Sequence, residues 1–472
     1  MISERKQRLC YVAGDYLSSN VAWFAYNCVR YLLGTVEGHY ASLEQFLLAP
    51  MVLVGQLVFP LMMMAVYCLS GYYNKVFRKS RLQEVATTFW SAVINTLLIF
   101  FVALINDVIK ERGTDYEMLL LLLSLLFFVV YAVRAIITSR TSHKIKSRQW
   151  SFNTLIIGRG TTAVAFVNKL VNQRYSLGYN VKGFVSIPGE SDAKDVSLPC
   201  YTMDEVAEVC HNEQIEELIV VPTRHEDSQL LATINRLFIL DLPIKMTPDR
   251  SNVLLSQVRI SDMYGDPLVD ISGSNMSESG KNVKRCIDML VSAILLVVLL
   301  PFFGIIAALI KLDSKGPVFY TQERMGYHKN PFRIIKFRSM RDNAEQDNTP
   351  QLTSENDPRI TRVGQFMRKY RIDELPQFWN VLVGEMSIVG PRPERKFFVD
   401  QIVERVPSYA LLYQVRPGIT SLGMVKYGYA KNVDEMVERL SYDLLYLENM
   451  SLINDLKIMV YTIKTVLTGR GM

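Results

Sequence analysis

The sequence predicts a membrane protein of mixed α and α/β class, built from three parts. Four long apolar runs occupy the first third of the 472 residues, and each is long enough to cross a hydrocarbon core of about 30 Å. Short apolar strands alternating with helical segments follow, a pattern typical of a parallel sheet. A fifth apolar run then leads into a segment rich in charged motifs. We therefore expect a four-helix transmembrane block (1–140), a parallel-sheet domain (141–275) and a mixed α/β domain (276–472).

The composition limits the classes of function. Hydrophobic residues make up 49% of the chain and charged residues 21%, and the net charge of +6 says little about partners. The six cysteines show no CxxC spacing, and the five histidines form no HxxxH or HExxH pattern. The sequence therefore disfavours a disulfide framework and a zinc site, and it fits a reducing compartment. The charged start, MISERKQR, is not followed by a small-residue cleavage site, so we expect no cleavable signal peptide.

Polar residues and loop charges describe the membrane block further. Asp15, Arg30 and Asn95 interrupt the apolar runs, which indicates that those faces turn toward neighbouring helices. Basic residues are concentrated before the first run, between the second and third, and after the fourth, so both ends of the block are predicted to be cytoplasmic. Such a bundle favours an anchoring and dimerising role over a transport path. The four runs are 9–34, 47–72, 86–109 and 117–138.

The fifth apolar run differs from the others because basic residues flank both of its ends. Lys284 and Arg285 precede it, and Lys311 and Lys315 follow it. A crossing would leave one basic cluster on the wrong side, and Pro301 would remove a helical hydrogen bond and kink the helix. We predict a re-entrant helix over about 284–311 that bends at Pro301 and returns to the same face. A straight crossing would instead carry the rest of the chain away from any cytosolic nucleotide.

The middle part begins with a strand, a glycine turn and a helix. Gly158, Gly160 and Ala163 fit G-x-G-x-x-A, a turn that lets a phosphate approach a helix N-terminus. This predicts a Rossmann-like domain, but no acidic residue closes the strand at 181–185, where one would hold a ribose. Two interpretations stay open: a domain without a dinucleotide, or a turn in which Gly158, Arg159 and Gly160 meet a phosphate of some regulator. A loose linker is expected over about 247–281.

The stretch RIDELPQFWNVLVGEMSIVGPRPE (371–394) carries the most specific chemistry. Asp373 and Glu374 stand directly before a helix predicted over 374–383, where Asp373 alone would be interpreted as an N-cap. A carboxylate at a helix N-terminus stays ionised, and an ionised carboxylate can attack phosphorus. Several cations near such a pair suit a diphosphate. The candidate cations are Lys336 and Arg338 on a predicted strand, Arg368 in a predicted helix over 366–370, and Arg392 in the Pro-flanked turn.

The same pair is a candidate metal site. Glu374, together with Asp373, is expected to bind Mg²⁺, which prefers oxygen ligands and bridges diphosphate oxygens. A nucleic-acid site would need aromatic residues interleaved with a basic groove. None is evident in this part of the sequence, so no nucleic-acid partner is expected.

The motifs KFRSM, IDELPQFWNVLVGEMSIVGPRPE and VRPGIT resemble the bacterial sugar transferase family, the monotopic phosphoglycosyl transferases that act on polyprenyl phosphate. The resemblance implies that Asp373 attacks the β-phosphate of a UDP-sugar, with UDP-glucose or UDP-galactose expected, and releases UMP. Undecaprenyl phosphate would then accept the phosphosugar at the cytoplasmic face of the inner membrane. The phosphate-binding residues implied are Lys336, Arg338, Arg368, Arg392 and Arg416. The family begins the synthesis of exopolysaccharide, capsule or O-antigen.

One departure from the family pattern and two alternative functions stay open. Many family members continue after VRPGIT with Gly and Gln-Val-x-Gly-Arg, whereas this chain reads SLGMVKYGYA, so donor selectivity is unsettled. A nicotinamide-dependent nucleotide-sugar epimerase or dehydratase would need a Tyr-x-x-x-Lys pair, and 141–275 has none; Tyr427 and Lys431 have the spacing but lie far downstream. A non-catalytic scaffold of polysaccharide assembly is the other alternative. The closing segment, 442–471, is expected to be amphipathic and to pack on the membrane or the domain.

Overall fold

The computed structural model describes residues 4–33, 40–77, 79–104, 112–173, 175–187, 198–221, 227–247, 268–271, 275–341 and 357–468. The chain forms two compact units, Met1–Ser151 with Ser277–Val283, and Phe152–Met276 with Lys284–Met472. Most of the predicted linker (247–281), the end of the third predicted apolar run (86–109) and residues 34–39 lie outside the described residues.

The first unit is helical. Its helices are α1 (Glu4–Leu32), α2 (Leu43–Leu47), α3 (Pro50–Leu69), α4 (Arg81–Ile99) and α5 (Arg112–Lys146). Among the described residues of this unit, three segments are long and apolar enough to cross a membrane: Pro50–Leu69, Arg81–Val102 and Tyr116–Lys146. The structure differs from the prediction at α1, which has 29 residues but is not among the apolar spans, because charged and amide side chains recur along it.

Buried polar side chains join the helices of this unit. Arg134 donates from Nε to Asp15 Oδ1 at 2.9 Å and from Nη2 to Asp15 Oδ2 at 2.7 Å, and both side chains are fully buried. Glu84 accepts a hydrogen bond from the Tyr72 hydroxyl at 2.6 Å. Asn95 is also fully buried. The prediction that Asp15 and Asn95 turn toward neighbouring helices is confirmed, since an ionic group inside an apolar bundle needs a partner there.

A six-stranded sheet opens the second unit. Its strand order is β3-β2-β1-β4-β5-β6, parallel except for β6, which runs antiparallel to β5. Leu155 and Ile157 pack into one buried cluster and Ile156 into another, so helices cover both faces, as parallel sheets require. The strands are β1 (Phe152–Ile157), β2 (Tyr179–Val185), β3 (Cys200–Tyr201), β4 (Glu217–Val220), β5 (Ile244–Met246) and β6 (Val269–Asp270); the helices are α6 (Thr161–Asn172), α7 (Val206–Asn212) and α8 (Asp227–Phe238).

The fifth apolar run lies in α9 (Glu278–Asp313), a 36-residue helix that continues through Pro301. In the part of the chain that the structure describes, it is the fourth helix that is long and apolar enough to span a membrane. Its basic start is attached to the rest of the second unit: Lys284 Nζ lies 2.6 Å from Asp455 Oδ2, and Arg285 donates to the Val381 carbonyl at 2.7 Å. The bend at Pro301 and the re-entrant course stay predictions.

The remaining elements form a small mixed α/β region. Strand β7 (Phe319–Met325) pairs antiparallel with β8 (Pro331–Phe337), and β9 (Ser387–Val389) pairs parallel with β10 (Gly418–Thr420). The two strands predicted over 316–340 are confirmed. The helices are α10 (Arg362–Lys369), α11 (Gln377–Val383), α12 (Lys396–Arg405), α13 (Leu422–Lys426), α14 (Val433–Glu448) and α15 (Leu452–Leu467).

Candidate active site

The two adjacent carboxylates lie in a short 3₁₀ turn, Ile372–Glu374, rather than on an α-helix. Helix α11 begins only at Gln377, after Pro376, and no side chain caps it. Asp373 and Glu374 are 6% and 4% exposed. The capping interpretation is therefore wrong, and something else has to account for two buried carboxylates side by side.

Three cations surround Glu374. Lys336 Nζ, at the end of β8, lies 2.8 Å from Oε1; Arg392 Nη2 lies 3.5 Å from Oε1, and Arg371 Nη1 lies 3.8 Å from Oε2. Burial alone would raise the pKa of Glu374, but the charges of Lys336, Arg392 and Arg371 outweigh it and hold this pKa well below its usual range. Glu374 is therefore ionised.

Asp373 has a different environment. Burial raises its pKa first, and the neighbouring Glu374 carboxylate raises it further, against the opposing charges of Lys336 and Arg368. Helix α11 starts four residues downstream of Asp373, so this carboxyl does not lie at the helix N-terminus that the sequence predicted. Asp373 is the more basic member of the pair, and Glu374 is the member that the cations hold.

A second buried carboxylate supports Arg392. Glu394 Oε1 lies 2.6 Å from Arg439 Nη2 and 4.0 Å from Arg392 Nε, and its Oε2 lies 3.3 Å from Arg324 Nη1. Burial would raise the pKa of Glu394, but the Arg439 and Arg324 charges lower it below its usual range. Arg392 thus lies between Glu374 and Glu394. Sequence reasoning missed Arg324, Arg371 and Arg439; nothing in their local pattern separates them from ordinary surface arginines.

Two predicted phosphate-binding residues are directed elsewhere. Arg338 donates to the carbonyl oxygens of Lys315 and Ser314, both at 2.7 Å, just beyond the end of α9. Arg416 donates from Nε to the Gly384 carbonyl at 2.9 Å. Each arginine therefore stabilises a backbone turn and has no bond to either carboxylate of the pair in the described residues. The structure brings Lys336, Arg368 and Arg392 to the pair.

The GPRP turn is held by close backbone packing. A Cβ atom on Gly390 would lie 2.3 Å from the Arg416 carbonyl oxygen, so only glycine fits. The Gly418 amide donates to the Pro391 carbonyl at 2.9 Å, which continues the β9–β10 pairing. Two motifs that are separate in the sequence, GPRP and VRPG, thus pack together. Their packing fixes the backbone from which the Arg392 side chain extends.

The sequence pattern of the bacterial sugar transferase family matches residues 279–469. An exopolysaccharide production protein of Rhizobium leguminosarum bv. phaseoli is 39% identical over 196 residues, which is 40% of this chain and 98% of that protein. The chain belongs to the bacterial sugar transferase family.

Longer relatives are similar over part of their length. A UDP-N-acetylgalactosamine-undecaprenyl-phosphate N-acetylgalactosaminephosphotransferase of Aeromonas hydrophila is 40% identical over 236 residues, 50% of this chain and 55% of that protein. A UDP-glucose:undecaprenyl-phosphate glucose-1-phosphate transferase of Klebsiella pneumoniae is 32% identical over 289 residues, 61% of this chain and 62% of that protein. The match spans less than two thirds of each of these two proteins.

The donor atoms of this bacterial sugar transferase fit a Mg²⁺ ion shared with substrate. Glu374 Oε2 is buried and has no hydrogen-bond partner. Within the described ranges, no group of three or more His, Cys, Asp or Glu side chains could form a cage for a metal. Magnesium is commonly held by one or two carboxylates plus substrate phosphates. Asp373 and Glu374 therefore offer oxygen atoms of the kind that Mg²⁺ prefers.

The glycine turn of the sheet domain has a structural reason. Gly158 has φ +122°, and a Cβ atom there would lie 2.7 Å from the Val221 carbonyl oxygen. Gly160 precedes α6, and Arg159 between them is half-buried. Close packing of β1 and β4 thus explains Gly158 without a ligand.

The downstream Tyr-x-x-x-Lys spacing begins at Tyr427, whose hydroxyl donates to Glu438 at 2.8 Å. This tyrosine therefore makes a surface hydrogen bond.

Proposed function

We propose that this chain transfers a sugar-1-phosphate from a UDP-sugar to undecaprenyl phosphate through a covalent phosphosugar on Asp373. The observation that carries the proposal is the pair of buried carboxylates among converging cations. Family membership and the names of the relatives from Aeromonas hydrophila and Klebsiella pneumoniae support this reaction type.

The charge of the site suits a diphosphate. Lys336, Arg368, Arg371 and Arg392 act on Asp373 and Glu374, and Arg324 and Arg439 pair with the neighbouring Glu394, so cations outnumber carboxylates in this site. A buried excess of positive charge is costly unless an anion compensates it. The phosphates of a nucleoside diphosphate sugar supply that anion, and arginine forks bind phosphate oxygens in pairs.

Asp373 is proposed as the nucleophile. It is less hydrated and more basic than an exposed aspartate, and both properties favour attack on phosphorus. One of its carboxylate oxygens would bond to the β-phosphorus, while the bond from that phosphorus to the bridging oxygen breaks and UMP leaves with the oxygen. A phosphate oxygen of undecaprenyl phosphate would then attack the same phosphorus and release Asp373. Lys336, Arg371 and Arg392, held on Glu374, would orient the phosphates in both steps.

Magnesium is the proposed cofactor. When bound by Glu374 and Asp373 it would neutralise part of the phosphate charge, as Mg²⁺ does in phosphoryl transfer. Glu374 Oε2 would be the oxygen for this role, since it has no hydrogen-bond partner and only the Arg371 charge 3.8 Å away, whereas Oε1 accepts a hydrogen bond from Lys336.

The membrane placement follows from the apolar helices. Helix α9 carries exposed apolar side chains such as Val297 and Leu300, which are 74% and 67% exposed in the protein alone. We propose that it lies in the bacterial inner membrane as a re-entrant helix, with the carboxylate pair at the cytoplasmic face. The sheet domain is proposed to be Rossmann-like, with its ligand open, and the helical block to anchor a homodimer.

The transferred sugar is part of the proposal. The resemblance to the family implies UDP-glucose or UDP-galactose, and the relative from Aeromonas hydrophila adds UDP-N-acetylgalactosamine to the donors worth testing. With each of these three donors the product would be an undecaprenyl diphosphosugar, the starting point of exopolysaccharide, capsule or O-antigen synthesis.

The test incubates membranes that contain the full chain with each labelled UDP-sugar, undecaprenyl phosphate and Mg²⁺. The wild type should yield labelled lipid and UMP with one of the three donors, and Asp373→Asn should yield neither. Asp400→Asn is the matched control, because that aspartate is an exposed partner of Lys396 and should retain full activity. Normal transfer by Asp373→Asn would refute the covalent route, as would the absence of an aspartyl adduct when wild type is trapped with donor alone.

A further inference from the structure

Tyr429 lies between α13 and α14, in the segment where the sequence departs from the usual family pattern. Gly428 before it has φ +99°, and no atom lies within 4 Å of the position of an added Cβ. Glycine is therefore favoured there by the backbone conformation and not by a lack of space. After this turn, the Tyr429 ring centroid lies 5.2 Å from Arg371 Cζ and 5.1 Å from Arg392 Cζ.

The two arginines come from separate segments and repel each other. Both pair with Glu374, at 3.8 Å and 3.5 Å, and their side chains are only 10% and 16% exposed. An aromatic ring attracts cations through its quadrupole and carries no net charge. A carboxylate in its place would hold the guanidinium groups more strongly, but it would cancel the positive charge that a phosphate needs. The ring stabilises both arginines and leaves the site cationic.

We propose that Tyr429 is a positioning residue that holds Arg371 and Arg392 in the arrangement that binds the diphosphate of the donor. The inference rests on the proposed function and names a specific contributor to donor affinity. Tyr429 is 39% exposed, and its contacts with both arginines are made by the ring. The ring is therefore the functional part, and phenylalanine should replace tyrosine.

The first measurement is the steady-state kinetics of transfer by the full chain at saturating undecaprenyl phosphate. Tyr429→Leu keeps an apolar side chain but removes the ring, so the donor KM should rise about five- to thirtyfold, from the loss of two cation–π contacts. The kcat should stay within about twofold, because the lost interaction acts on bound ground state and transition state alike. Tyr429→Phe should match the wild type.

The matched control is Tyr427→Leu, two residues upstream in the same segment. The Tyr427 hydroxyl bonds Glu438, and its ring lies 6.5 Å from that of Tyr442, away from the arginines. This variant should have the wild-type KM. If it shows the same increase as Tyr429→Leu, the effect belongs to the loop as a whole and the positioning role is refuted.

The second measurement is calorimetric binding of inorganic diphosphate with Mg²⁺ to the wild type and to Tyr429→Leu. The positioning role predicts that this affinity falls by the same factor as the donor KM rises. Unchanged diphosphate binding with a raised donor KM would overturn it and would indicate that the ring stacks on the base. Equal impairment in Tyr429→Phe would also overturn it. If no donor gives lipid product with the wild type, the proposed function fails, and diphosphate binding still decides the role of Tyr429.

Discussion

Replacing Lys284 tests how firmly α9 is attached to the catalytic region. Lys284 Nζ lies 2.6 Å from Asp455 Oδ2 on α15 and 3.0 Å from the Val389 carbonyl, directly before the GPRP turn. The side chains of Lys284 and Asp455 are 11% and 7% exposed. The Tyr446 hydroxyl donates to the other Asp455 oxygen at 2.7 Å. Lys284 therefore joins the membrane helix, the last helix and the strand that leads to Arg392.

Lys284→Met keeps the length of the side chain and removes its charge, which leaves Asp455 buried with only the Tyr446 hydroxyl. Breaking a buried ion pair by removing one partner costs about 3 kcal/mol or more. For a unit of this size, 1 kcal/mol corresponds to roughly 2–4 °C in Tm, so the loss should be about 10 °C. Scanning fluorimetry of the full chain in detergent measures it.

Two variants make the result specific. Lys457→Met changes an exposed lysine on α15 and should leave Tm within about 2 °C of the wild type. The double variant Lys284→Met/Asp455→Asn removes both charges of the 2.6 Å pair. Asp288, which lies 3.9 Å from Lys284, keeps its hydrogen bonds from Ser387 and Ile388, so the double variant should recover at least half of the lost stability. The reasoning is refuted if Lys284→Met unfolds at the wild-type temperature, or if the double variant is as unstable as the sum of the single ones.

Three further predictions concern other parts of the chain. Gly364→Ala should destabilise by about 3 kcal/mol and abolish transfer, because its Cβ would lie 2.0 Å from a backbone oxygen, whereas Gly304→Ala has open space and should raise Tm slightly. Arg134→Met should lower Tm through the loss of about 3 kcal/mol, since it leaves the buried Asp15 of the first unit with the Tyr73 hydroxyl and without its Arg134 counter-ion; an unchanged Tm would contradict this. Burial raises the pKa of Asp443 to about 6 from its ordinary value of 3.8, so the stability that its proton provides is full below about pH 4 and is lost as the pH rises through 6. Asp443→Asn should therefore gain Tm relative to the wild type between pH 4 and pH 7, and a constant difference would refute the assignment.

Short-range patterns made much of the fold predictable. The strands of the sheet domain and the β7–β8 pair follow from apolar runs bounded by turn residues, and the amphipathic α15 follows from its helical spacing, with Ile453, Leu456 and Val460 exposed on one face. The errors came where the pattern was ambiguous. The sequence allowed a helix from Glu374, but Pro376 delays α11 to Gln377, and the carboxylates lie in the tighter turn before it.

The sequence by itself determined the membrane character of the chain, the adjacent Asp373 and Glu374, and the family, because each is written in contiguous residues. Only the tertiary structure decided which cations meet these carboxylates. Lys336 reaches Glu374 across 38 residues and Arg439 reaches Glu394 across 45. Arg338 is only two residues from Lys336 in the sequence, yet it donates to backbone carbonyl oxygens instead. The physical reason is that ion pairing falls steeply with distance, so the folded path of the chain selects the partners, and spacing along the sequence does not.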